Sequence, residues 1–237
     1  MSSGIRTYHT KTISIIYLIY NIIHLMYNSN NYEDTENKII GNLLRRPLES
    51  KSMNQISVDT KLSYVTVHKL VPSLIKRKLV KQEKKGKALL ISIDFDNCGI
   101  EKLSSACLFE RSALLKKFPD ILSLSRDLEE SLAGRFYILV LFGSYAKDCP
   151  KKSSDIDLLF IVPDRKDIEL YKEKISKTAR LHSEFKKDYK IVSTEDFTDM
   201  LNEKFTVGRS VFQHGIVMFG SEQYYSLVKQ YVRTKGY

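Results

Sequence analysis

The chain is poor in cysteine, with three among its 237 residues. Cys98, Cys107 and Cys149 are an odd number and lack zinc-site spacing, which suits a reducing, cytoplasmic environment. His182 and His214 have no histidine or cysteine at ligand spacing, so neither is interpreted as a metal ligand. Internal repeats and low-complexity tracts are missing too. The length and a hydrophobic content of 43% are sufficient for two compact domains with real cores.

Long hydrophobic runs are also lacking. The most apolar stretch, Ile13–Tyr27, is only fifteen residues long and contains Asn21 and His24, whereas a helix needs about 20 residues to cross a bilayer. Basic residues precede the run as in a signal peptide, but no small-residue cleavage site follows it. We therefore expect no membrane association. Residues 1–33 are interpreted as an N-terminal extension, either a helix at a homodimer interface or an upstream segment of doubtful translation.

A buried strand followed by a polar corner is the first strong pattern. The run Ile138–Phe142 is too continuously apolar for a half-exposed strand and predicts one in the middle of a sheet. Gly143 permits a tight turn and close approach of a ligand, and Ser144 adds a hydroxyl where a short helix could begin. The pattern predicts a phosphate-binding corner.

Two carboxylates open the next apolar run. Asp155 lies eleven residues after Ser144, and Asp157 follows two residues later. Side chains two apart on a strand share a face, so both carboxylates project together while Ile156 and Leu158 turn into the core. Parallel carboxylates repel unless a cation lies between them, and Mg²⁺ prefers carboxylate and phosphate oxygens. The spacing predicts a magnesium-bound nucleoside triphosphate.

Together the two motifs resemble the signature of the DNA polymerase β-like nucleotidyltransferases, in particular their minimal branch. The resemblance covers roughly Leu132 to Phe219 and rests on the content, order and spacing of both motifs. It implies a polymerase β-like fold. It also implies transfer of a nucleoside monophosphate from a nucleoside triphosphate to an acceptor hydroxyl, with release of pyrophosphate.

The resemblance also implies roles for particular residues. Gly143 and Ser144 would hold the β and γ phosphates, and Lys147 stands where the family usually has a basic residue. Asp155 and Asp157 would be the catalytic pair and would bind two metal ions.

Two departures from the family pattern predict weak activity. Asp148 adds a carboxylate near the expected phosphates. Active members commonly carry a third carboxylate on a later strand, but the strand predicted at 189–193, after a helix over 165–187, has none at its centre. Asp188 falls one residue before that strand and would reach the site if the strand started earlier, but it is interpreted as a solvated residue in the basic stretch 185–189. We therefore expect catalysis that is slow, dependent on a partner, or lost.

A second pattern lies upstream. Apolar spacing predicts a helix over Thr35–Leu44, a second short helix, and a third helix from Tyr64 to about Leu79 that Pro72 kinks or shortens. Two short apolar strands around Gly86 then predict a hairpin over 79–93. This order resembles a winged helix domain, as found in many archaeal and bacterial regulators.

Charge favours nucleic acid as the partner of this segment. Residues 51–90 contain ten basic and two acidic residues, a net charge of +8, whereas the whole chain carries +10. We expect DNA to bind here, with RNA binding and dimerisation as the alternatives. The residues expected to contact DNA are Ser63, Thr66, His68 and Lys69 on the third helix and Lys84, Lys85 and Lys87 on the wing.

The predicted fold class is α+β, with a mainly α winged helix domain before the nucleotidyltransferase domain. The predicted boundaries are an extension at 1–33, the winged helix at 34–96, a helical linker at 97–131 broken at Pro119, and the nucleotidyltransferase domain at 132–237. The predicted function is Mg²⁺-dependent nucleotide transfer coupled to DNA binding. The alternative is a DNA-binding transcriptional regulator, or an antitoxin-like binder of a protein partner, whose nucleotidyltransferase domain is weakly active or inactive.

Overall fold

A computed structural model describes residues 32–184 and 186–235. The extension expected at 1–33, with its apolar run, therefore lies almost wholly outside the described residues. The chain divides by its contacts into two units, Met1–Glu36 and Asn37–Tyr237. In the described part of the chain, no helix is both long enough and apolar enough to cross a membrane.

The N-terminal part of the described chain begins with three helices. Helix α1 covers residues 32–44, and the apolar residues that predicted it, Ile39, Ile40 and Leu43, are almost fully buried. Helix α2 (Met53–Thr60) begins with a capping box, in which the Ser52 hydroxyl accepts from the backbone of Gln55 and the Gln55 side chain accepts from the backbone of Ser52. These contacts satisfy backbone donors that the first turn leaves open.

Helix α3 spans Tyr64–Lys76, and it is three residues shorter than predicted. Pro72 lies inside it, so the helix continues past the proline and does not end there. The end is set by Lys78, whose φ of 57° is left-handed and which lets the backbone N–H of Leu79 bond to the carbonyl of Leu74 at 3.0 Å. This reversal is a Schellman motif, a common helix terminator.

A small antiparallel sheet follows, in the order β1-β3-β2. Strands β2 (Val80–Lys85) and β3 (Ala88–Ile93) pair around Gly86, which confirms the predicted hairpin. Strand β1 (Lys51–Ser52) pairs with β3 and was not predicted, because two residues are too few to carry a pattern.

Two helices connect this part of the chain to the larger sheet. Helix α4 spans Ile100–Lys117 and helix α5 spans Pro119–Ser131, so the chain breaks between them at Phe118. The predicted helical connection and its break at Pro119 are both confirmed. Pro119 stands at the first position of α5, where a missing backbone donor costs nothing.

The larger sheet has four strands in the order β6-β5-β4-β7. The strands are β4 (Ile138–Phe142), β5 (Ile156–Val162), β6 (Lys187–Ser193) and β7 (Ile216–Phe219). The helices between and after them are α6 (Gly143–Ala146), α7 (Ile168–Leu181), α8 (Thr194–Asn202), α9 (Val207–His214) and α10 (Ser221–Lys235). Strand β5 runs antiparallel to β4 and parallel to β6, and β4 lies inside the sheet as predicted.

The two faces of this sheet have different covers. Leu158 and Phe160 of β5 face a cluster that includes the buried residues of α5 and α7. Leu159 and Ile161 face the opposite way, into a cluster that includes α8, α9 and α10 and also Ile39 and the other core residues of the N-terminal helices. One continuous core therefore joins both ends of the unit Asn37–Tyr237.

Helix α10 was not predicted from the sequence. Its Tyr224, Tyr225 and Val228 are buried in the shared core. Its polar side holds the segment before α4, where Lys229 donates to the carbonyl of Cys98 and Arg233 to the carbonyl of Asp96. The helix thus fastens the end of the described chain to a segment more than a hundred residues earlier.

Candidate active site

The phosphate corner and the second carboxylate meet where β4 ends. Phe142 pairs with Asp157 across the antiparallel strands, so Gly143 follows directly beside that carboxylate. Gly143 has a left-handed φ of 71°, and a Cβ placed there would lie 1.8 Å from Oδ2 of Asp157. Only glycine fits both the backbone turn and the neighbouring side chain.

Asp188 is exposed, as the interpretation as a solvated residue expects, but it lies inside the strand and not before it. Strand β6 begins at Lys187, two residues earlier than predicted, because α7 ends at Leu181 and not at 187. Asp188 therefore lies within the strand and pairs in parallel register with Asp157. In-register residues of neighbouring strands share a face of the sheet, so a third carboxylate lies beside the predicted pair.

The electrostatics of the corner reflect this crowding. The pKa of Asp157 is raised above its ordinary value, first by partial burial and then by the negative charges of Asp188 and Asp155. Lys190, two residues after Asp188 on the same strand, opposes this rise. A cation bound here would relieve the repulsion among these carboxylates. Sequence reasoning missed Lys190, although its two-residue spacing from Asp188 was a usable signal.

Asp148, the other departure from the family pattern, has an ion-pair partner in the structure. Asp148 has a left-handed backbone, with φ 61°, and its carboxylate forms an ion pair with Lys117 at the end of α4. Lys117 also lies over the ring of Phe118, which packs edge-on against Tyr145 of α6. Asp148 therefore has a lysine partner at the protein surface.

The remaining predicted phosphate residues follow Gly143 in the short helix α6. Ser144 is half-buried, and its carbonyl accepts from the backbone of Cys149 at 3.0 Å. Lys147 caps the helix and is exposed. Lys147 lines a cleft that also contains His214, at the end of α9.

The residues predicted to contact DNA lie on α3 and on the hairpin. Ser63 caps α3 by accepting from the backbone of Thr66, and their hydroxyls lie 2.8 Å apart, so both serve the helix start. His68 and Lys69 are exposed on α3, and the ring of His68 lies 5.8 Å from that of Tyr64. On the hairpin, Lys84, Lys85 and Lys87 are exposed around the turn.

Protein side chains alone form no complete metal cage among residues 32–184 and 186–235, where no group of three or more His, Cys, Asp or Glu residues could hold an ion. Magnesium usually binds through one or two carboxylates together with substrate phosphates and water, without a dedicated protein cage. Asp157, whose ionised form is disfavoured by the charges of Asp188 and Asp155, lies beside Gly143 and fits that mode of binding.

A family model matches the part of the chain that forms this corner. Residues 126–224 match the family model described as "Polymerase beta, Nucleotidyltransferase". The mixed α+β fold of this stretch agrees with the predicted fold class, and the match supports a nucleotidyltransferase-type function.

One solved structure is also similar, described as "Crystal structure of the toxin-antitoxin with AMP-PNP". It is 17% identical, the match covers 50% of this chain and 89% of that chain, and the TM-score is 0.29. A likeness at that TM-score carries no argument about function. No curated protein matches the sequence.

Proposed function

We propose that the chain is a Mg²⁺-dependent nucleotidyltransferase that moves a nucleoside monophosphate from a nucleoside triphosphate to an acceptor hydroxyl. The observation that carries this proposal is the register of three strands, which brings Gly143, Asp157 and Asp188 together at one corner of the sheet. The family match over residues 126–224 supports the same reaction class.

The proposed roles follow from the position of each side chain. Gly143 and Ser144 would bind the β and γ phosphates through the backbone turn and the hydroxyl, with Lys147 adding charge. Asp155 and Asp157 would hold Mg²⁺ together with phosphate oxygens. Bound Mg²⁺ would lower the pKa of the acceptor hydroxyl and neutralise charge on the leaving pyrophosphate.

Asp188 would serve as the general base. The acceptor oxygen forms a bond to the α phosphorus while the bond from that phosphorus to the pyrophosphate oxygen breaks, and Asp188 takes the hydroxyl proton. The exposure of Asp188 on β6 leaves it accessible to an acceptor. The activity expected from this arrangement is higher than the sequence alone suggested, because the third carboxylate has a candidate.

Replacing Asp188 by asparagine tests this role. We expect the rate of nucleotide transfer to fall by about a hundredfold or more, because the general base is lost while the side-chain shape is kept. The measurement is transfer from each labelled triphosphate with Mg²⁺ and a cell lysate as the source of acceptor. Asp164→Asn, which changes an exposed aspartate after the end of β5, should leave the rate unchanged. Full activity in Asp188→Asn would remove Asp188 from the mechanism.

We further propose that residues 34–96 form a winged helix domain that binds DNA. The order α1, β1, α2, α3, β2, β3 supports this assignment, as does the excess of basic residues on α3 and the hairpin. Tyr64 and Val65 at the start of α3 are more than half exposed, and they add apolar contact area that the charge pattern did not indicate. A cytoplasmic regulator with low turnover remains the alternative function, because this surface does not depend on the aspartates.

Neutralising the hairpin lysines tests DNA binding. We expect Lys84, Lys85 and Lys87 changed together to glutamine to weaken duplex binding by at least about tenfold and to lower the salt slope by about 0.9 for each lost phosphate contact. The measurement is affinity for a labelled duplex over a range of salt concentrations.

The matched control changes three exposed lysines near and within α7, Lys166, Lys172 and Lys177, to glutamine. It alters the net charge equally and should leave duplex affinity within about twofold of wild type. If wild-type protein has no measurable DNA affinity at low salt, the DNA-binding proposal is wrong.

A further inference from the structure

The last strand of the larger sheet has an open edge. Strand β6 pairs with β5 on one side, and among residues 32–184 and 186–235 no strand pairs with its other side. The opposite end of the sheet differs, because the thiol of Cys107 in α4 donates to the carbonyl of Val217 in β7 at 3.6 Å. An open strand edge offers a row of main-chain donors and acceptors to a pairing partner.

The register shows which main-chain groups of β6 point to the open edge. The backbone N–H of Ile156 donates to the carbonyl of Lys186 at 2.9 Å. In a parallel ladder with this bond, the N–H and C=O groups at the even-numbered positions of β6 point to β5. Those at the odd-numbered positions point to the open edge. The outward-pointing positions are Lys187, Tyr189 and Ile191.

Strand β6 has few of the features that usually block an edge. Within Lys187–Ser193 there is neither a proline nor a bulge, and all seven residues keep one register with β5. The ammonium group of Lys187 is bonded to the carbonyl of His182. Helix α7 packs on a face of the sheet, where the hydroxyl groups of Tyr189 and Ser176 lie 2.7 Å apart. The edge is therefore available for pairing.

Two charged side chains make this edge complementary to a copy of itself. Asp188 and Lys190 are both exposed, and they project from the same face of β6 because they are two residues apart. Identical edges related by a two-fold axis pair antiparallel, with outward-pointing positions opposite each other. The axis can then pass through position 188, 189 or 190.

Charge distinguishes these three registers. An axis through position 188 places Asp188 opposite its own copy, and an axis through position 190 does the same for Lys190. Like charges directly opposite each other destabilise a strand pair. An axis through Tyr189 instead places Asp188 opposite the partner's Lys190, and Lys190 opposite the partner's Asp188. These are positions of the ladder without hydrogen bonds, where the side chains approach most closely.

We propose that the chain forms a two-fold symmetric homodimer in which the β6 strands pair antiparallel about Tyr189. The sheets of the two subunits join into one continuous sheet. The partner's Lys190 then lies opposite Asp188, so each subunit contributes a residue to the aspartate corner of the other. The partner strand lies at the edge of the sheet, and the face that holds Asp157 and Asp188 stays open to substrate.

The partner's lysine changes the charge balance of the corner. The negative charges of Asp188 and Asp155 already disfavour the ionised form of Asp157. A positive group opposite Asp188 offsets part of this repulsion. The benefit to catalysis rests on the proposed function, in which Asp188 is the general base, whereas the strand pairing itself does not.

Charge reversal tests the pairing through the oligomeric state. We expect the full chain to sediment as a dimer, and Asp188→Lys or Lys190→Asp to raise the dissociation constant of that dimer by about tenfold or more, because each places like charges opposite each other twice per dimer. The double variant restores the opposite charges and should return to within about threefold of wild type. The matched controls Glu203→Lys and Lys204→Asp reverse exposed charges after α8 and should change the dissociation constant by less than about twofold.

A disulfide tests the register directly. In a Cys149→Ser background, which removes the exposed native thiol, Asp188→Cys and Lys190→Cys are prepared as separate proteins. Their Cα atoms would lie about 4.5 Å apart across the dimer, within disulfide range. We expect mild oxidation to cross-link the mixture of the two proteins, and each protein alone to stay uncross-linked because its cysteine does not face its own copy.

Three results would overturn the proposal. A wild-type chain that is monomeric at every concentration leaves the edge to a different partner. A dimer that both single reversals leave unchanged uses another surface. A mixture that cross-links no better than its separate components contradicts the register.

The proposed nucleotide transfer is judged separately. Asp157→Asn leaves β6 intact and should dimerise like wild type. If wild type forms this dimer but transfers no nucleotide, the pairing is correct and the proposed function is wrong.

Discussion

Replacing Asp157 by asparagine is expected to lower the rate of nucleotide transfer by about a thousandfold or more. The proposed metal site depends on this carboxylate, and loss of charge stabilisation by a bound ion costs several kcal/mol in the transition state, with about 1.4 kcal/mol for each factor of ten. Asparagine has nearly the same shape as aspartate and still fits beside Gly143. The measurement is transfer from a labelled triphosphate with Mg²⁺ in excess.

The same variant should be more stable than wild type in the absence of metal. Asp157 has a raised pKa in the folded protein because burial, Asp188 and Asp155 disfavour its charge. Because the folded protein binds this proton more tightly than the unfolded chain does, protonation of Asp157 stabilises the folded state. This stabilisation is fully present below the ordinary pKa of 3.8 and is lost as pH rises through the raised pKa of the folded protein. At neutral pH the asparagine variant escapes this loss, so its thermal midpoint should exceed that of metal-free wild type.

With magnesium, wild type should have the higher thermal midpoint, because the ion binds it and offsets the negative charge of the three carboxylates. We expect Mg²⁺ to raise the thermal midpoint of wild type at pH 7, and to raise it less near pH 4, where Asp157 gains a proton. The asparagine variant should respond weakly at both values. A loss of stability in the metal-free variant, together with unchanged transfer, would remove Asp157 from the metal site.

Gly143→Ala is expected to lower both nucleotide transfer and stability. The added Cβ would lie 1.8 Å from Oδ2 of Asp157, so the carboxylate or the turn must move. The left-handed backbone adds a cost of about 1 kcal/mol for alanine. We expect transfer to fall by about a hundredfold or more, since misplacement of a catalytic group by about 1 Å costs that much. Transfer assays and thermal unfolding of the same protein measure the two effects.

Gly134→Ala separates these two causes. Gly134 also has a left-handed φ, at 75°, but an added Cβ there meets nothing within 4 Å. This control should lose about 1 kcal/mol of stability and keep its transfer activity. If Gly143→Ala behaves like Gly134→Ala, the close contact with Asp157 has no role in the reaction.

Patterns with a strong local cause were predictable from the sequence. The continuous apolar run Ile138–Phe142 predicted a strand inside the sheet, and the short apolar strands around Gly86 predicted a hairpin. In each case the determining groups lie within a few residues of one another. The spacing from Ser144 to Asp155 also predicted a shared corner, because both residues flank adjacent strands.

The third carboxylate was missed because its signal is not local. Strand β6 is at the edge of the sheet, and its first residues alternate between half-buried and exposed, with lysines at positions 187 and 190. That composition is typical of a solvated segment. Asp188 belongs to a strand only because β5 pairs with it, and the pairing depends on a partner thirty-one residues earlier in the chain.

The ion pair of Asp148 was not predictable for a similar reason. Its partner Lys117 is thirty-one residues away and comes from a different helix, so no spacing rule connects them. The end of α3 was overestimated because lysine rarely adopts the left-handed backbone found at Lys78. These differences arise where tertiary contacts override the local preference of the chain.

The position of α10 determines when this core can close during synthesis. Lys229 reaches a carbonyl 131 residues earlier in the chain, so the ribosome makes α4 long before it makes the helix that covers it. Contacts between such distant residues form late and slowly. Until α10 emerges, Tyr224, Tyr225 and Val228 are missing from the core that also contains Leu159 and Ile161 of β5, so this face of the sheet stays uncovered in the nascent chain.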